Sequence, residues 1–300
     1  MVLCVIALLS FLLITTAALS NQHGEMQQAR QGRMRARQLA EMGLAVAAHP
    51  LIQPGDPLLQ RNVSSLEQYS VFMTTEESRM NLNALLVEGR QPLLERVFTS
   101  WGLSPADSQA IVASLMDWTD ADDLKRRPDS AERLDYEHLG FPDRPFNRRL
   151  SSLDEVILVA RAEEIQAANP AWRSFFTLRG NGQLDVNMAA AEIIASFTGA
   201  MPENARQLVL KRNGPDGLPF TLDDTPLQSL DEAMALLGLA GSQAEGLKPM
   251  LTLHGTTLRV ESIGTAGDAR CGIAVLLHRD GGTPRLDEWR DFPVKGAGQL

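Results

Sequence analysis

The sequence predicts an α+β protein: a long N-terminal helix packed on an antiparallel sheet, with a large all-helical insertion. Three observations predict it. No proline interrupts the first 48 residues. Strand-like apolar alternation is confined to a stretch near residue 70 and to the C-terminal part of the chain. Between these, one series of helical signals occurs twice in the same order.

The first element begins with MVLCVIALLSFLLITTAALS, which carries no charge. About 20 helical residues span about 30 Å, so residues 1–20 are predicted to form a single transmembrane segment. No Lys or Arg precedes the apolar run, which argues against a cleaved signal peptide. Past it, Ala29, Ala36, Ala40, Gly43 and Ala47 share one helical face, while Arg30, Arg33, Arg35 and Arg37 occupy others. The helix is expected to continue to His49–Pro50, making a rod of roughly 70 Å at about 1.5 Å per residue. Under the positive-inside rule those arginines favour the cytoplasmic side, and a basic leader ahead of Met1 would restore the opposite orientation.

The next element, EQYSVFM, alternates as a strand. The repeat follows. MNLNALL (80–86) and LDVNMAA (184–190) are each a short strand reaching an Asn and running into a helix. Ser104-Pro105 and Met201-Pro202 each open a second helix with proline in its first turn. A polar loop comes next, and then SLDE, at 152–155 and 229–232, as a capping box that opens an apolar helix. Short helices joined by tight polar turns resemble sterile-alpha-motif (SAM-like) or helix-hairpin-helix modules. The second kind binds DNA, but here acid flanks the first hairpin and would repel phosphates. The chain closes with LKPMLTLH, TTLRVESIG, CGIAVLLHR and RLDEWRDF, read as an antiparallel meander with Val260, Ile263, Ile273, Val275 and Leu277 in the core. The expected divisions are 1–20, the membrane segment; 21–79, the rest of the long helix and the first strand; 80–180 and 181–245, two helical domains; and 246–300, the meander.

Composition narrows function. The 300 residues are 44% hydrophobic, enough for a buried core, and the net charge of −9 lacks a nucleic-acid binder's basic footprint. Cys4 and Cys271 predict no structural disulfide, and the five histidines stand at no metal-ligand spacing. No nucleophile elbow, phosphate-binding loop, dinucleotide fingerprint or zinc-protease motif occurs, so neither an enzyme nor a small-molecule substrate is predicted.

This order of parts resembles the type II secretion system minor pseudopilin K family over nearly the whole chain. The resemblance rests on the apolar N-terminus, "EESRMNLNAL", "LMDWTDADD" followed by "SAERLDY", "NRRLSSLDEVILV", "LDVNMAAAEII" and "KRNGPDGLPFTL". It implies a pilin-like fold and a non-enzymatic subunit that caps the tip of the pseudopilus and supports export across the outer membrane. Its implied partners are the minor pseudopilins I and J, and its implied place is the inner membrane, single-pass, with the bulk periplasmic. Departures exist. Ser130 stands where the family has Gly, Arg133 where it has an acid, and the prepilin-peptidase site is missing before Met1. The first acid is Glu25, so the membrane segment lacks the glutamate of other pseudopilins, in agreement with subunit K. The rival reading is a membrane-anchored periplasmic binding or scaffold protein outside secretion; a nucleic-acid-binding module ranks below it.

DWTDADD, 117–123, concentrates four aspartates in seven positions. The resemblance implies Ca²⁺ binding in the helical insertion, and hard oxygen ligands on a loop suit that ion. The expected ligands are Asp120, Asp122 and Glu132, with Asp117, Asp123 and Asp135 behind them. Asp117 could instead brace the loop, and Trp118 belongs to the core. No glycine stands at the sixth position after Asp120, so any site departs from the EF-hand. The alternative is a solvated helix end neutralised by Lys125, Arg126 and Arg127. A second polar loop, 213–217 with Asp223 and Asp224, is a lesser candidate.

Overall fold

The computed structural model describes residues 2–221, 223–278 and 284–294, without the side chains of 2–23 and 25. In chain order its helices are α1 (Val2–Ala47), α2 (Leu82–Leu85), α3 (Gln91–Ser100), α4 (Pro105–Asp117), α5 (Arg133–His138), α6 (Ala162–Ala168), α7 (Ala191–Thr198), α8 (Pro202–Arg212), α9 (Leu230–Leu237) and α10 (Gly241–Leu247). The strands are β1 (Gln60–Asn62), β2 (Glu67–Thr75), β3 (Met80–Asn81), β4 (Phe176–Thr177), β5 (Leu184–Asp185), β6 (Leu251–Thr252), β7 (Thr257–Ala266), β8 (Ala269–His278) and β9 (Arg285–Phe292). The chain divides into two compact units, one of residues 1–73 and 259–300, the other of residues 74–258.

In the first unit, α1 runs unbroken for 46 residues. The predicted 1–20 span lies outside the residues whose side chains are described; among the described residues no helix is long and apolar enough to cross a membrane. The five-stranded sheet has the order β1-β2-β7-β8-β9, with β1–β2 and β8–β9 antiparallel. Ala36, Leu39, Ala40, Leu44 and Ala47 of α1 are buried, as are Tyr69, Val71 and Met73 of β2 and Ile273, Val275 and Leu277 of β8. Ala29, expected on the same helical face, is exposed.

Strand β7 corrects the expected register. Val260 is buried, but Ser262 and Gly264 occupy the inner positions and Ile263 does not. The helix backbone explains why. Ser262 Oγ donates to the Ala40 carbonyl at 2.8 Å, and a Cβ on Gly264 would stand 2.0 Å from the Ala36 carbonyl oxygen. A Cβ on Gly43 would stand 2.5 Å from Ser262 Oγ. Only small residues fit where helix and strand backbones come this close.

In the second unit each copy of the repeat closes on its own two-residue parallel pair, β3 with β4 and β5 with β6. LKPMLTLH therefore does not open the meander: Lys248–Met250 form a 3-10 turn and Leu251–Thr252 pair with β5. The two copies share one polar device. Asn83 accepts from the Leu150 N–H at 3.0 Å and donates to its carbonyl at 2.9 Å. Asn187 does the same with Leu227, at 2.9 and 3.1 Å. Each leucine sits two residues before an N-cap serine, Ser152 or Ser229, of which only Ser152 forms the full capping box. Ser104, Ser152 and Ser229 all act as N-caps, although the turn after Ser152 is 3-10 rather than α.

Glu155, buried, completes the first box. Its carboxylate accepts from the Ser151 N–H at 2.8 Å and pairs with Arg148 at 3.0 Å. Burial opposes ionisation, but the Ser151 hydrogen bonds and Arg148 win and hold its carboxyl below the ordinary value. A depressed folded-state pKa contributes stability above the unfolded value and loses it as pH falls through the folded one. Glu155→Gln is expected to lower stability by about 1–2 kcal/mol at neutral pH, with the difference shrinking as pH falls from about 4.3 through the depressed folded value. Urea titrations of both proteins across pH check this; a pH-independent difference would contradict it.

Candidate functional site

The acidic loop grows out of α4. Ser104 caps that helix with Pro105 in its first turn, and its apolar side chains pack through Met116, which delivers Asp117 into the interior. Asp117 is 0% exposed. Both its oxygens accept from the Arg126 N–H at 3.3 Å, and Ser130 Oγ donates to it as well. Asp117 thus braces the loop, and Ser130 has a defined task there. Trp118 is buried, its ring 5.5 Å from that of Tyr136 and 5.0 Å from that of Phe146.

The other predicted residues separate into two groups. Three are engaged elsewhere. Asp122 Oδ1 accepts from the Leu124 N–H at 2.8 Å; Asp123 pairs with Arg133 at 3.1 Å; Asp135 pairs with Lys125 at 2.6 Å and accepts from the Glu132 N–H at 2.8 Å. Asp120 and Glu132 face inward. Asp120 Oδ2 meets Arg126 Nη2 at 3.0 Å, while its Oδ1 is buried without a hydrogen bond. Glu132, only 2% exposed, accepts from the Arg133 N–H at 3.2 Å through Oε2, and its Oε1 is buried without a partner.

The electrostatics follow. Burial raises the carboxyls of both Asp117 and Asp120. Burial, with the Asp117, Asp120 and Asp123 charges, pushes Glu132 up to about 7 despite its hydrogen bond to Arg133 N–H. Among the described residues no three His, Cys, Asp or Glu side chains converge as a ready ligand set. What the loop holds is two buried carboxylate oxygens without hydrogen-bond partners, Asp120 Oδ1 and Glu132 Oε1, of the hard oxygen type that divalent cations take.

One residue escaped the sequence reading. Asn147, at φ 48, donates to the Asp122 carbonyl at a long 3.5 Å, and its Oδ1 is buried without a partner. Its distance along the chain from the aspartates hid it; the only local signal is its place at the head of NRRLSSLDE. Within 119–151 the structure also forms α5, opened by Glu132 and Asp135 as a capping box. In the second polar loop the carboxylates are spent on the loop itself: Asp223 accepts from Asp216 N–H at 3.0 Å and Asp224 from Phe220 N–H at 2.8 Å.

Residues 78–171, which contain the whole loop, match the family model described as "Type II secretion system (T2SS), protein K". A solved structure, the GspK-GspI-GspJ complex from the enterotoxigenic Escherichia coli type 2 secretion system, contains a chain of similar fold. The TM-score is 0.61 at 17% identity, covering 92% of this chain and 99% of that one. No curated protein sequence matches. The family model covers residues 78–171, and at 17% identity the solved structure shows a likeness of fold.

Proposed function

We propose that the protein is a minor pseudopilin that caps the tip of a type II secretion pseudopilus, supports export across the outer membrane, and catalyses no reaction. The match over residues 78–171 carries this reading, because it falls on the helical insertion that distinguishes this chain from a bare helix-and-sheet subunit. By analogy with the GspK-GspI-GspJ complex, its partners are minor pseudopilins I and J. Residues 1–20 anchor it in the inner membrane with the bulk periplasmic, the two helical repeats are SAM-like modules at 80–180 and 181–245, and C-terminal strands within 246–300 complete a pilin-like sheet.

In this reading the acidic loop holds Ca²⁺ through Asp120 and Glu132, with Asp117, Asp122, Asp123, Asp135 and Asn147 around them. The ion supplies counter-charge and fixes the loop. Co-expression with pseudopilins I and J tests the assembly: the detergent-solubilised full chain is expected to purify as a three-protein complex. Recovery of this chain alone, while I and J are present and folded, would point to the membrane-anchored scaffold reading instead.

A further inference from the structure

We propose that Asn181 is a site of spontaneous modification, losing its side-chain amide to the backbone nitrogen of Gly182, and that the fold selects it over the chain's other Asn-Gly pair. That dipeptide occurs twice, at 181–182 and 213–214. Glycine permits the attack because no Cβ crowds its nitrogen. The two pairs differ in their surroundings. Asn181 is exposed in the connection between β4 and β5, and the Gly182 N–H has no hydrogen-bond partner among the described residues. Asn181 Oδ1 accepts from the Gln183 N–H at 2.9 Å. That turn folds the side chain forward over Gly182 and draws electron density away from Cγ. Asn213, by contrast, is 7% exposed, and its Nδ2 donates to the Gly217 carbonyl at 3.2 Å. The Gly214 N–H is occupied by the Lys211 carbonyl at 3.4 Å.

The atoms balance with water as the only co-reactant. The Gly182 nitrogen gives its proton to hydroxide and bonds to Asn181 Cγ. The Cγ–Nδ2 bond breaks, and the leaving nitrogen takes a proton from water and departs as ammonia. Water then opens the cyclic imide at either carbonyl, leaving aspartate, or isoaspartate with one more carbon in the backbone. The place gives the change a consequence. The Asn181 N–H donates to Glu77 Oε1 at 3.3 Å, and a Cβ on Gly180 would stand 2.9 Å from that same oxygen. Glu77 is 1% exposed, and its carboxylate also accepts from Thr256 Oγ1 and the Thr257 N–H. Each product puts a new negative charge on the residue whose N–H this buried carboxylate accepts. Modification therefore loosens the seat of Glu77 as the protein ages.

The test is incubation of the detergent-solubilised full chain at mildly alkaline pH, with peptide mapping of the gain of about 1 Da that accompanies exchange of an amide for an acid. Folded wild type is expected to modify Asn181 roughly tenfold faster than Asn213, the order of factor that one intact hydrogen bond supplies. In guanidinium chloride the two rates are expected to come together. Aged wild type is expected to melt lower than fresh protein, whereas Asn181→Gln, whose longer side chain closes the ring poorly, keeps its melting temperature. An unmodified Asn181 after incubation would overturn the site outright. Equal rates in the folded chain, or a difference that persists in denaturant, would overturn selection by the fold. Modification of Asn181 with no change in melting would overturn its action on Glu77.

Discussion

Millimolar calcium is expected to raise the melting temperature of the full chain by about 5–10 °C and to slow proteolysis within residues 119–151. The size follows from linkage: saturation at about 100 Kd contributes about 2.7 kcal/mol, and each kcal/mol is worth about 2–4 °C in a unit of this size. The control is sharper. Asp120→Asn with Glu132→Gln is expected to abolish both effects, yet to melt no lower than wild type in chelator. The reason is the sign of the Glu132 shift. With its carboxyl pushed up to about 7, the ionised form is disfavoured in the folded state. Its favourable contribution is complete below the unfolded value of about 4.3 and is lost as pH rises through 7, so at neutral pH without metal the carboxylate is a burden. Equal melting in calcium and chelator would instead favour the ion-pair reading, in which Lys125, Arg126 and Arg127 suffice.

Gly264→Val is expected to destabilise the first unit by about 3 kcal/mol or more and to release α1 to protease. Overpacking of a tight core commonly costs about 1–3 kcal/mol, and here the obstacle is backbone. The added carbon would stand 2.0 Å from the Ala36 carbonyl oxygen and 2.5 Å from the Ala40 nitrogen, neither of which has a rotamer to change. Gly32→Ala serves as comparison: its new carbon meets only Ala269 Cβ, at 3.2 Å, a contact that a slight adjustment relieves. Circular dichroism melts and mapping of cleavage sites within residues 26–47 read both. A Gly264→Val chain that melts with wild type would show that helix and strand are not pressed together as described.

Much of this architecture is legible in the sequence because its signals are local. The proline-free run, the capping serines at 104, 152 and 229, the apolar alternation of β2 and the continuous apolar run of β8 each reflect chemistry within a few residues. The errors fall where the deciding partner is distant. Alternation places Ile263 in the core, but the backbone of a helix more than 200 positions earlier selects Ser262 and Gly264 for that face. LKPMLTLH has the composition of a meander strand, yet its partner is β5. Around the acidic loop, the spacing of the aspartates indicated density of charge. It could not say that Asp122, Asp123 and Asp135 are used by their neighbours, while Asp120 and Glu132 keep an oxygen unspent.

A pair of hydrogen bonds from Glu77 ties the two ends of the helical unit together and bears on how the sheet closes. Thr75 ends β2, Thr257 begins β7, and β2 and β7 are neighbours in the sheet. Just past the first, the Glu77 carboxylate accepts from the Thr257 N–H at 3.3 Å and from Thr256 Oγ1 at 3.2 Å, across a separation of 180 and 179 positions. For a flexible excursion of that length, bringing the two strands together would carry a large loop-closure entropy. A folded excursion with its ends already joined carries almost none. Once 74–258 has formed, its two ends are already held close, and the pairing of β2 with β7 becomes a local event despite its distance along the chain.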